Sequence, residues 1–257
     1  DPARVSVILG HIALPTESAS ALSRAVFGRE IEQQVTGALP DDVPTLALRQ
    51  ADGRPVVVRG EGSATVQVAG VTLYVPIDAF FQVNTSGAEA LVALVRESAG
   101  DVAHRDVWDL YAGVGPIAAA LADRVGPGGR VVAVESSSVA ADEARRVLQA
   151  TYGHDVVTVE RRDVRRWIRR AREHAAVPDG VVLDPPRTGA GKPVIEALGA
   201  IRPRQILLVA CDPVALGRDT QLLADQGYRL VRIRSWDAFP QTHHLEAMAQ
   251  FLPDQVS

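Results

Sequence analysis

The chain has 257 residues, of which 47% are hydrophobic and 23% charged, with a formal net charge of −4. This length suits one large domain or two modest ones, and the apolar share is enough for a sizeable core. No apolar run approaches the about 18 residues of a membrane span, and the N-terminus does not resemble a secretory signal. The single cysteine, Cys211, excludes an internal disulfide, so we expect a cytoplasmic protein without membrane association.

Residues 1–78 are expected to form a small α+β domain. Ser20–Val35 has helical composition, and short apolar runs follow at Val56–Arg59, Thr65–Val68 and Val71–Val75. Glycines at positions 60, 62 and 70 separate these runs, which is typical of a meander of short antiparallel strands. The segment holds six arginines and nine acidic residues and is net negative, so we expect the chain to bind a nucleic acid weakly unless the run Arg161–Arg172 or residues outside this sequence contribute.

From Asp106 onward, apolar strand-like runs alternate with segments of helical composition. The first five predicted strands are Val107–Tyr111, Val131–Val134, Val156–Val159, Val181–Leu183 and Ile206–Val209. The predicted helices are Ile117–Arg124, Val139–Ala150, Val164–His174, Val194–Gly199 and Val214–Asp225. Repeated β-then-α units imply a mostly parallel sheet with helices on both faces. A polar loop alone joins the last two runs, Leu230–Arg234 and Glu246–Leu252, so we expect an antiparallel pair at the end of the sheet.

A glycine-containing loop lies between the first of these strands and its helix, with the sequence Asp-Leu-Tyr-Ala-Gly-Val-Gly over Asp109–Gly115. Two glycines let the backbone turn tightly and approach a ligand, as in dinucleotide sites, S-adenosylmethionine (SAM) sites and ordinary turns. The third glycine of the dinucleotide fingerprint is absent, because Ile117 and Ala118 fill that region. SAM has no pyrophosphate that needs a helix N-terminus, so the pattern favours SAM over NAD.

Acidic residues end or follow four successive strands, namely Asp109, Glu135, Asp163 and Asp184. The carboxyl ends of parallel strands meet at one edge of a sheet, so these side chains are expected to share that edge. Glu135 would accept hydrogen bonds from ribose hydroxyls, and Asp163 would meet an adenine amino group. The alternative role for such an acid, above all for Asp163, is a helix N-cap.

The densest charge run, Arg161 to Arg172, holds seven arginines. Val164, Trp167, Ile168 and Ala171 recur in this run at helical spacing, with the arginines on the other faces. A solvated helix face and a surface for a polyanion both fit this pattern.

Cys211 follows the apolar run Ile206–Ala210 and precedes a segment of helical composition. A lone cysteine at this position is either a packing residue or a reactive thiol at the edge where open α/β sheets place their chemistry. No cluster of Cys, His and Asp has metal-ligand spacing, so no metal site is expected.

Four motifs occur in order along the chain. They are Phe80–Asn84 (Phe-Phe-Gln-Val-Asn), the loop Asp109–Gly115, Asp184–Gly189 (Asp-Pro-Pro-Arg-Thr-Gly), and a pair formed by Ala210–Asp219 and Asp237–Glu246. As a set they resemble the SAM-dependent RNA uracil-5 methyltransferases, which form 5-methyluridine in tRNA or rRNA. The resemblance runs from about Phe80 to Leu252. It implies a Rossmann-like class I methyltransferase sheet over residues 79–257, mostly parallel with an antiparallel last strand.

The resemblance also implies particular roles for residues of this chain. The implied SAM site comprises Gln82, Tyr111, Gly113, Gly115, Glu135, Asp163 and Asp184. Cys211 would be the nucleophile and Glu246 the base that removes a proton from the substrate. Phe80 or Phe81 would help to seat SAM or the uracil ring, with Phe81 taken as the substrate-binding residue, and Arg187 would contact phosphate or brace its own loop. The segment before Phe80 would help to hold RNA, and we expect a monomer whose partner is tRNA or rRNA.

Some positions depart from the family's pattern. Ala112 stands where cysteine is common, Asp212 replaces a frequent asparagine, and Gly217 replaces a frequent alanine. Pro116 lacks a backbone donor, which predicts a weaker hold on the methionine end of SAM. Many members also have an N-terminal oligonucleotide-binding-like domain and a cysteine-bound iron–sulfur cluster. Neither is visible here, and a single cysteine cannot ligate such a cluster.

Two other functions remain open from the sequence. An exocyclic-amine methyltransferase would use Asp184-Pro185-Pro186-Arg187 to orient an amino group and would need no thiol. A non-catalytic RNA-binding relative with a degraded SAM site would account for Pro116 and Asp212. The role of Cys211 separates the leading prediction from both alternatives.

Overall fold

The computed structural model describes residues 7–9, 46–49, 55–59, 63–68, 70–76, 79, 85–174, 177–236 and 246–254. The chain divides into two compact units, one formed by Asp1–Val66 with Tyr74–Phe80 and the other by Gln67–Leu73 with Phe81–Ser257. The predicted helix at residues 20–35 lies outside the described residues. Within the described part of the chain, no helix is long and apolar enough to cross a membrane.

Five short strands precede the main sheet: β1 Val7–Leu9, β2 Leu46–Arg49, β3 Pro55–Arg59, β4 Ser63–Val68 and β5 Val71–Pro76. Strand β2 pairs in parallel with β1 and antiparallel with β3, whereas β4 and β5 pair with each other. The predicted single meander is therefore wrong, because β3 joins a different sheet from β4. Apolar runs predict strands but do not report which distant segment a strand pairs with.

The main sheet has seven strands, namely β6 Asp106–Leu110, β7 Arg130–Glu135, β8 Val157–Arg161, β9 Gly180–Leu183, β10 Gln205–Ala210, β11 Tyr228–Trp236 and β12 Glu246–Pro253. Their order across the sheet is β11-β12-β10-β9-β6-β7-β8. Strands β8, β7, β6, β9 and β10 run parallel, and β12 runs antiparallel to β10 and to β11. The predicted Rossmann-like sheet, mostly parallel with an antiparallel last strand, is confirmed.

The helices in the described part of the chain are α1 Thr85–Ser98, α2 Pro116–Val125, α3 Ser138–Tyr152, α4 Val164–Glu173, α5 Lys192–Ile201 and α6 Pro213–Asp225. Helices α2 to α6 match the predicted helical segments, whereas α1 lies outside the predicted elements. Contacts join α1, α2 and α3 in one series and α4, α5 and α6 in another. The chain reverses direction across the sheet between β8 and β9, and right-handed crossovers then place the two series on opposite faces.

The core lies between the sheet and these helices. On the α4–α6 side, buried strand residues such as Leu110, Leu183 and Leu208 pack with Ile168 and Leu198 from the helices. Removing each such side chain from water stabilises the fold by about 1.5–3 kcal/mol. Because both faces are covered, the parallel strands are near-continuous apolar runs, which is why the sequence predicted them well.

The strand order of the sheet reverses at β6. From β6 the chain adds β7 and β8 on one side, and it then adds β9 and β10 on the other side. Ligands of open α/β sheets bind at the carboxyl ends of the strands at such a point. Every parallel strand of the sheet ends at this carboxyl edge. The antiparallel β12 begins there, so its first residue, Glu246, lies at the same edge.

Candidate functional site

The glycine loop, Tyr111–Gly115, follows β6 at the carboxyl edge. The Gly113 N–H donates a hydrogen bond to Oε2 of Glu135, the last residue of β7, over 2.9 Å. Gly115 has a φ of 89°, and a Cβ at that position would lie 2.7 Å from Cδ1 of Leu148 on α3. Only glycine fits both the left-handed backbone and this close approach. The loop is therefore fixed against β7 and α3 by its backbone.

Glu135 is itself anchored by the chain. Its Oε1 accepts hydrogen bonds from the Ser137 N–H at 2.6 Å and the Ser136 hydroxyl at 3.1 Å. With the Gly113 N–H, the carboxylate of Glu135 accepts from three donors in total and has about four acceptor sites. Oε2 thus keeps room for one further donor. We call the Tyr111–Gly115 loop together with Glu135 the glycine-loop region.

Tyr111 adopts an unusual conformation at the start of the loop. Its φ is 68°, and its N–H donates to the Val134 carbonyl over 3.0 Å. Burial raises the pKa of the phenol to about 12, aided by the nearby negative charges of Asp163 and Asp219 and opposed by Arg165. The phenol therefore stays protonated and can donate a hydrogen bond. Non-glycine residues held in this backbone region cluster at functional sites.

Asp163 has a structural role that the sequence left open. It is the N-cap of α4, and its Oδ1 accepts a hydrogen bond from the Arg166 N–H over 3.0 Å. The side chain is exposed, and its Oδ2 accepts no hydrogen bond within the described part of the chain. The structure thus shows the cap, and the predicted contact with a cofactor stays a prediction.

Asp109 is a buried acid within β6 that sequence reasoning grouped with the strand-end acids without assigning it a role. Its side chain is 0% exposed, and neither carboxyl oxygen has a hydrogen-bond partner among the described residues. Burial raises its pKa to about 8, the charges of Asp184 and Glu135 raise it further, and the nearby Ala118 N–H, which does not reach hydrogen-bonding geometry, lowers it. An unsatisfied buried carboxyl calls for an explanation, and a ligand donor at this edge would provide one.

The thiol of Cys211 lies opposite Glu246. Ala210 of β10 pairs with Ala247 of β12, so the next residues, Cys211 and Glu246, continue this antiparallel register. Glu246 is 3% exposed, and its Oε2 has no hydrogen-bond partner among the described residues. Cys211 is half-buried and makes no disulfide. The predicted nucleophile and the predicted base are thus brought together.

Asp184 and Arg187 complete this group, which we call the thiol region: Asp184, Arg187, Cys211 and Glu246. Asp184 follows β9, and its N–H donates to the Leu110 carbonyl of β6 over 3.2 Å. Burial raises its pKa to about 7, reinforced by the charge of Glu246. The negative charges of Asp184 and Glu246 repel, so ionisation of one carboxyl group disfavours ionisation of the other.

Arg187 balances the charges of the thiol region. Burial raises the pKa of Cys211, and the negative charge of Glu246 raises it further, while Arg187 lowers it. Burial likewise raises the pKa of Glu246, and Arg187 again lowers it. The exposed Arg187 side chain therefore favours the thiolate and the carboxylate, the forms a nucleophile and a base require.

The loop that carries Arg187 is held by α6 through Asp219, which sequence reasoning treated only as part of a motif. Asp219 is 1% exposed, and its Oδ2 accepts from the N–H groups of Ala190 at 2.7 Å and Gly191 at 3.5 Å. Its Oδ1 accepts from Arg218, whose guanidinium also donates to the Thr188 carbonyl over 2.6 Å. This network fixes the loop after Asp184 above α6.

A narrow pocket lies between this loop and the start of α6. Its lining residues are Pro185, Pro186, Arg187, Gly189, Leu208, Ala210, Cys211, Asp212, Ala215, Leu216 and Asp219. The thiol thus borders a pocket whose walls are the Asp184–Gly189 motif and the Ala210–Asp219 motif. Two motifs that are distant in sequence form one cleft around Cys211.

Three departures from the family's pattern have local structural roles. Pro116 occupies the first turn of α2, where a backbone N–H has no helical partner and proline is favoured. Asp212 is the N-cap of α6 and accepts from the Ala215 N–H over 2.7 Å, a role that asparagine fills equally well. Gly217 is exposed on α6 with open space around a Cβ. The fold accommodates all three residues.

Gln82 and Phe81 lie outside the described residues, so the structure does not place them. Among the residues it does describe, no group of three or more His, Cys, Asp or Glu side chains is arranged to hold a metal ion. The other predicted site residues, Tyr111, Gly113, Gly115, Glu135, Asp163, Asp184, Arg187, Cys211 and Glu246, all lie in loops or strand ends at the carboxyl edge, Asp163 as a helix cap.

Comparison with known proteins identifies a family and close relatives. The model of the tRNA (uracil-5-)-methyltransferase family matches residues 63–252. An uncharacterized RNA methyltransferase of Streptomyces avermitilis is 37% identical over 219 residues, covering 84% of this chain and 48% of that protein. One of Bifidobacterium longum is 37% identical over 213 residues, covering 78% of this chain and 49% of that protein. The chain spans about half the length of these curated relatives.

Among solved structures, the tRNA (uracil-54, C5)-methyltransferase of Pyrococcus abyssi, in complex with S-adenosyl-L-homocysteine, superposes with a TM-score of 0.65. It is 27% identical, and the match covers 84% of this chain and 54% of that one. The family model spans both the glycine-loop region and the thiol region. The chain belongs to the tRNA (uracil-5-)-methyltransferase family.

Proposed function

We propose that this protein transfers a methyl group from SAM to carbon 5 of a uridine in tRNA or rRNA, through a covalent bond between Cys211 and the uracil ring. The observation that carries this proposal is the placement of the chain's single thiol opposite the buried Glu246, whose Oε2 has no hydrogen-bond partner among the described residues. Arg187 and Asp184 act electrostatically on that thiol. Family membership supplies the reaction class.

The glycine-loop region fits a SAM molecule. Glu135 Oε2 has one free acceptor site for a ribose hydroxyl, and a second hydroxyl would replace the Ser136 hydroxyl on Oε1. Bound SAM supplies an electrophilic methyl group on a sulfonium. We propose that Tyr111, Asp163, Asp184 and Gln82 complete this site.

Cys211 would begin the reaction on the uracil ring. Its thiolate Sγ forms a bond to carbon 6, and the electrons of the carbon 5–carbon 6 double bond move toward the oxygen on carbon 4. Carbon 5 becomes nucleophilic and takes the methyl group, while the electrons of the broken methyl–sulfur bond stay on the cofactor's sulfur. A target base must leave its helical stack to reach the thiol, and Phe81 is proposed to help seat it.

Glu246 would complete the reaction. Its carboxylate removes the proton from carbon 5, the carbon 5–carbon 6 double bond re-forms, and the bond between Sγ and carbon 6 breaks. The raised pKa of Glu246 makes the carboxylate a stronger base than an exposed glutamate. Arg187 favours the ionised form of Glu246, because its positive charge lowers that pKa against the effect of burial.

We further propose that residues 1–78 form the RNA-facing domain and residues 79–257 the methyltransferase domain. The protein is proposed to act as a cytoplasmic monomer without an iron–sulfur cluster. The single cysteine supports a reducing compartment and leaves no set of thiolates for a cluster.

The test is a methyl-transfer assay with radiolabelled SAM and unmodified tRNA or rRNA, followed by mass spectrometry of the nucleosides. The wild-type chain should form 5-methyluridine, and Cys211→Ala should bind SAM normally in calorimetry yet form none. Methylation of an exocyclic amine by an active Cys211→Ala variant would instead establish the amine-methylating alternative. Absence of SAM binding at micromolar levels would establish the non-catalytic one.

A further inference from the structure

Helix α4 carries the densest positive charge of the chain on its outer surface. The run from Arg161 to Arg172 holds seven arginines, and each of them is exposed. They belong to a protein whose formal net charge is −4. Their charge is therefore a local feature of this helix. We call the set Arg165, Arg166, Arg169, Arg170 and Arg172 the arginine face.

The inner side of α4 fixes the direction of the arginine face. Val164 and Ile168 are buried against the sheet. Trp167 packs edge-to-face on Trp108 of β6, with ring centroids 4.7 Å apart and planes at 82°. Such aromatic pairs add about 0.5–1.5 kcal/mol beyond the area they bury. The helix therefore cannot rotate about its axis, and its arginines face solvent.

Few acids oppose this charge. Arg161 pairs with Asp142 at 3.4 Å and Arg162 with Glu160 at 3.8 Å. Within the described part of the chain, no residue of the arginine face makes an ion pair with a carboxylate. Helix α3 differs, because its Arg145 pairs with Asp142 at 2.7 Å. A face that served only solubility would more often be interspersed with acids, as on α3.

We propose that the arginine face of α4 binds the phosphate backbone of RNA outside the catalytic cleft. Arg165, Arg169 and Arg172 form one stripe, with steps of about 6 and 4.5 Å along the helix axis. Guanidinium groups bind phosphate oxygens through two parallel hydrogen bonds, which suits an exposed, unpaired row. The assignment of the polyanion as RNA rests on the proposed function.

The location of α4 supports RNA as the occupant. Its first turn lies beside the glycine-loop region, because Arg165 acts electrostatically on the Tyr111 phenol. A strand of RNA with its target base at Cys211 would thus meet a basic surface at the same sheet edge. A cleft of about 390 Å³ lies on the sheet side of α4, toward the amino ends of β6 and β7, and its lining mixes Arg130, Arg162, Arg170 and His174 with the acids Asp106 and Glu160.

The test compares two triple variants that remove the same charge. Arg165→Gln, Arg169→Gln and Arg172→Gln together neutralise the stripe. Arg146→Gln, Arg204→Gln and Arg229→Gln together are the matched control, since these three arginines are exposed and lie on α3, at the start of β10 and on β11. The readout is the affinity of the full chain for a short fluorescein-labelled RNA stem–loop from about 50 to 200 mM KCl.

The stripe variant should bind this RNA about tenfold or more weakly, and its plot of log affinity against log salt should be shallower by about 2 to 3. The control variant should stay near the wild-type slope. In the methylation assay, the stripe variant should raise KM for RNA and leave kcat and SAM affinity unchanged.

Equal losses in the two variants, an unchanged slope in the stripe variant, or no RNA binding by the wild type at about 50 mM KCl would each overturn the proposal. Capture of vesicles containing phosphatidylserine in preference to the RNA would overturn it as well. The proposed function is scored separately, by SAM calorimetry and by the Cys211 adduct. If no Cys211 adduct forms but the stripe and control variants still differ in RNA affinity, the RNA-binding role of the arginine face is supported and the covalent mechanism is contradicted.

Discussion

The glycine-loop region and the thiol region share one sheet edge but are built from different interactions. In the glycine-loop region, a carboxylate is anchored by three donors from the chain, and the backbone passes within van der Waals reach of α3. In the thiol region, burial raises the pKa values of Asp184 and Glu246, and Glu246 Oε2 has no hydrogen-bond partner within the described part of the chain. The first region therefore depends on shape, and the second depends on charge.

This difference has a physical reason. A cofactor that is bound and released needs a preformed cradle, which backbone hydrogen bonds and glycines provide without further adjustment. A base needs a pKa near the working pH, toward which burial raises the pKa of Glu246, whereas a nucleophilic thiol needs a lowered pKa, toward which the charge of Arg187 acts on Cys211. We therefore expect added atoms to damage the glycine-loop region and changed charges to damage the thiol region.

The largest effect is expected from Glu246→Gln, which removes the proposed base while keeping its size. Methyl turnover should fall by about 10² to 10⁴, because the proton on carbon 5 has no acceptor. The covalent protein–RNA complex should then accumulate and appear as a shifted band on a denaturing gel. Adding Cys211→Ala to this variant should abolish the band. Wild-type turnover by Glu246→Gln would show that another group removes the proton.

Two glycine variants separate backbone strain from steric contact in the glycine-loop region. Gly115→Ala combines a φ of 89° with a collision with Leu148, so it should lower the free energy of unfolding by about 3 kcal/mol. Gly113→Ala has a φ of 57° and open space, so it should cost about 1–2 kcal/mol. Urea denaturation measures both values. Equal losses would mean that the contact with α3 adds nothing.

Asp219→Asn tests how the thiol region is held. The amide cannot satisfy the Ala190 N–H and Arg218 together, so the free energy of unfolding should fall by about 1–3 kcal/mol. Turnover should fall while SAM affinity in calorimetry stays constant, because the hydrogen bonds of Asp219 go to Ala190, Gly191 and Arg218 and none of them goes to the glycine-loop region. Asp225→Asn is the matched control, since Asp225 is exposed on the same helix and accepts only from Gln221. A loss of SAM affinity in Asp219→Asn would show that the two regions are coupled.

Arg187→Gln gives the smallest expected effect, on the ionisation of the thiol. Arg187 lowers the pKa of Cys211, so its removal should raise that pKa and shift the alkylation profile toward higher pH. At pH values below the pKa, alkylation by iodoacetamide should slow about threefold, since a tenfold loss of thiolate needs a full pKa unit. Glu246→Gln should act in the opposite direction, because Glu246 raises the same pKa. Cys211 is the only cysteine, so mass spectrometry of the labelled chain reports it alone.

The sequence predicted most of the main sheet because its strands are apolar runs that end in polar residues. Asp184 and Cys211 were placed at one edge by the same logic, since strand ends converge in a parallel sheet, whereas the role of Glu246 came from the family resemblance. The pairing of β3 with β2 was not predictable in this way, because it depends on a partner distant in the chain.

The hydrogen-bond partners of single carboxylates account for the rest of what the sequence did not predict. Asp219 stands in the middle of a helix, and its donors come from a loop almost thirty positions earlier. Asp163 was ambiguous because the same carboxylate serves a helix cap and a ligand equally well. Residue type and spacing cannot separate these roles, since the partners are set by tertiary contacts.

The most direct test of the central claim uses RNA that carries 5-fluorouridine, incubated with the wild-type chain and SAM. Fluorine on carbon 5 cannot be removed as a proton, so the ring should stay bonded to Sγ after methyl transfer. We predict a stable covalent complex whose digest carries the nucleotide and one methyl group on the peptide that contains Cys211. Methylation of ordinary RNA by the wild-type chain without any such complex on fluorinated RNA would contradict the covalent role of Cys211.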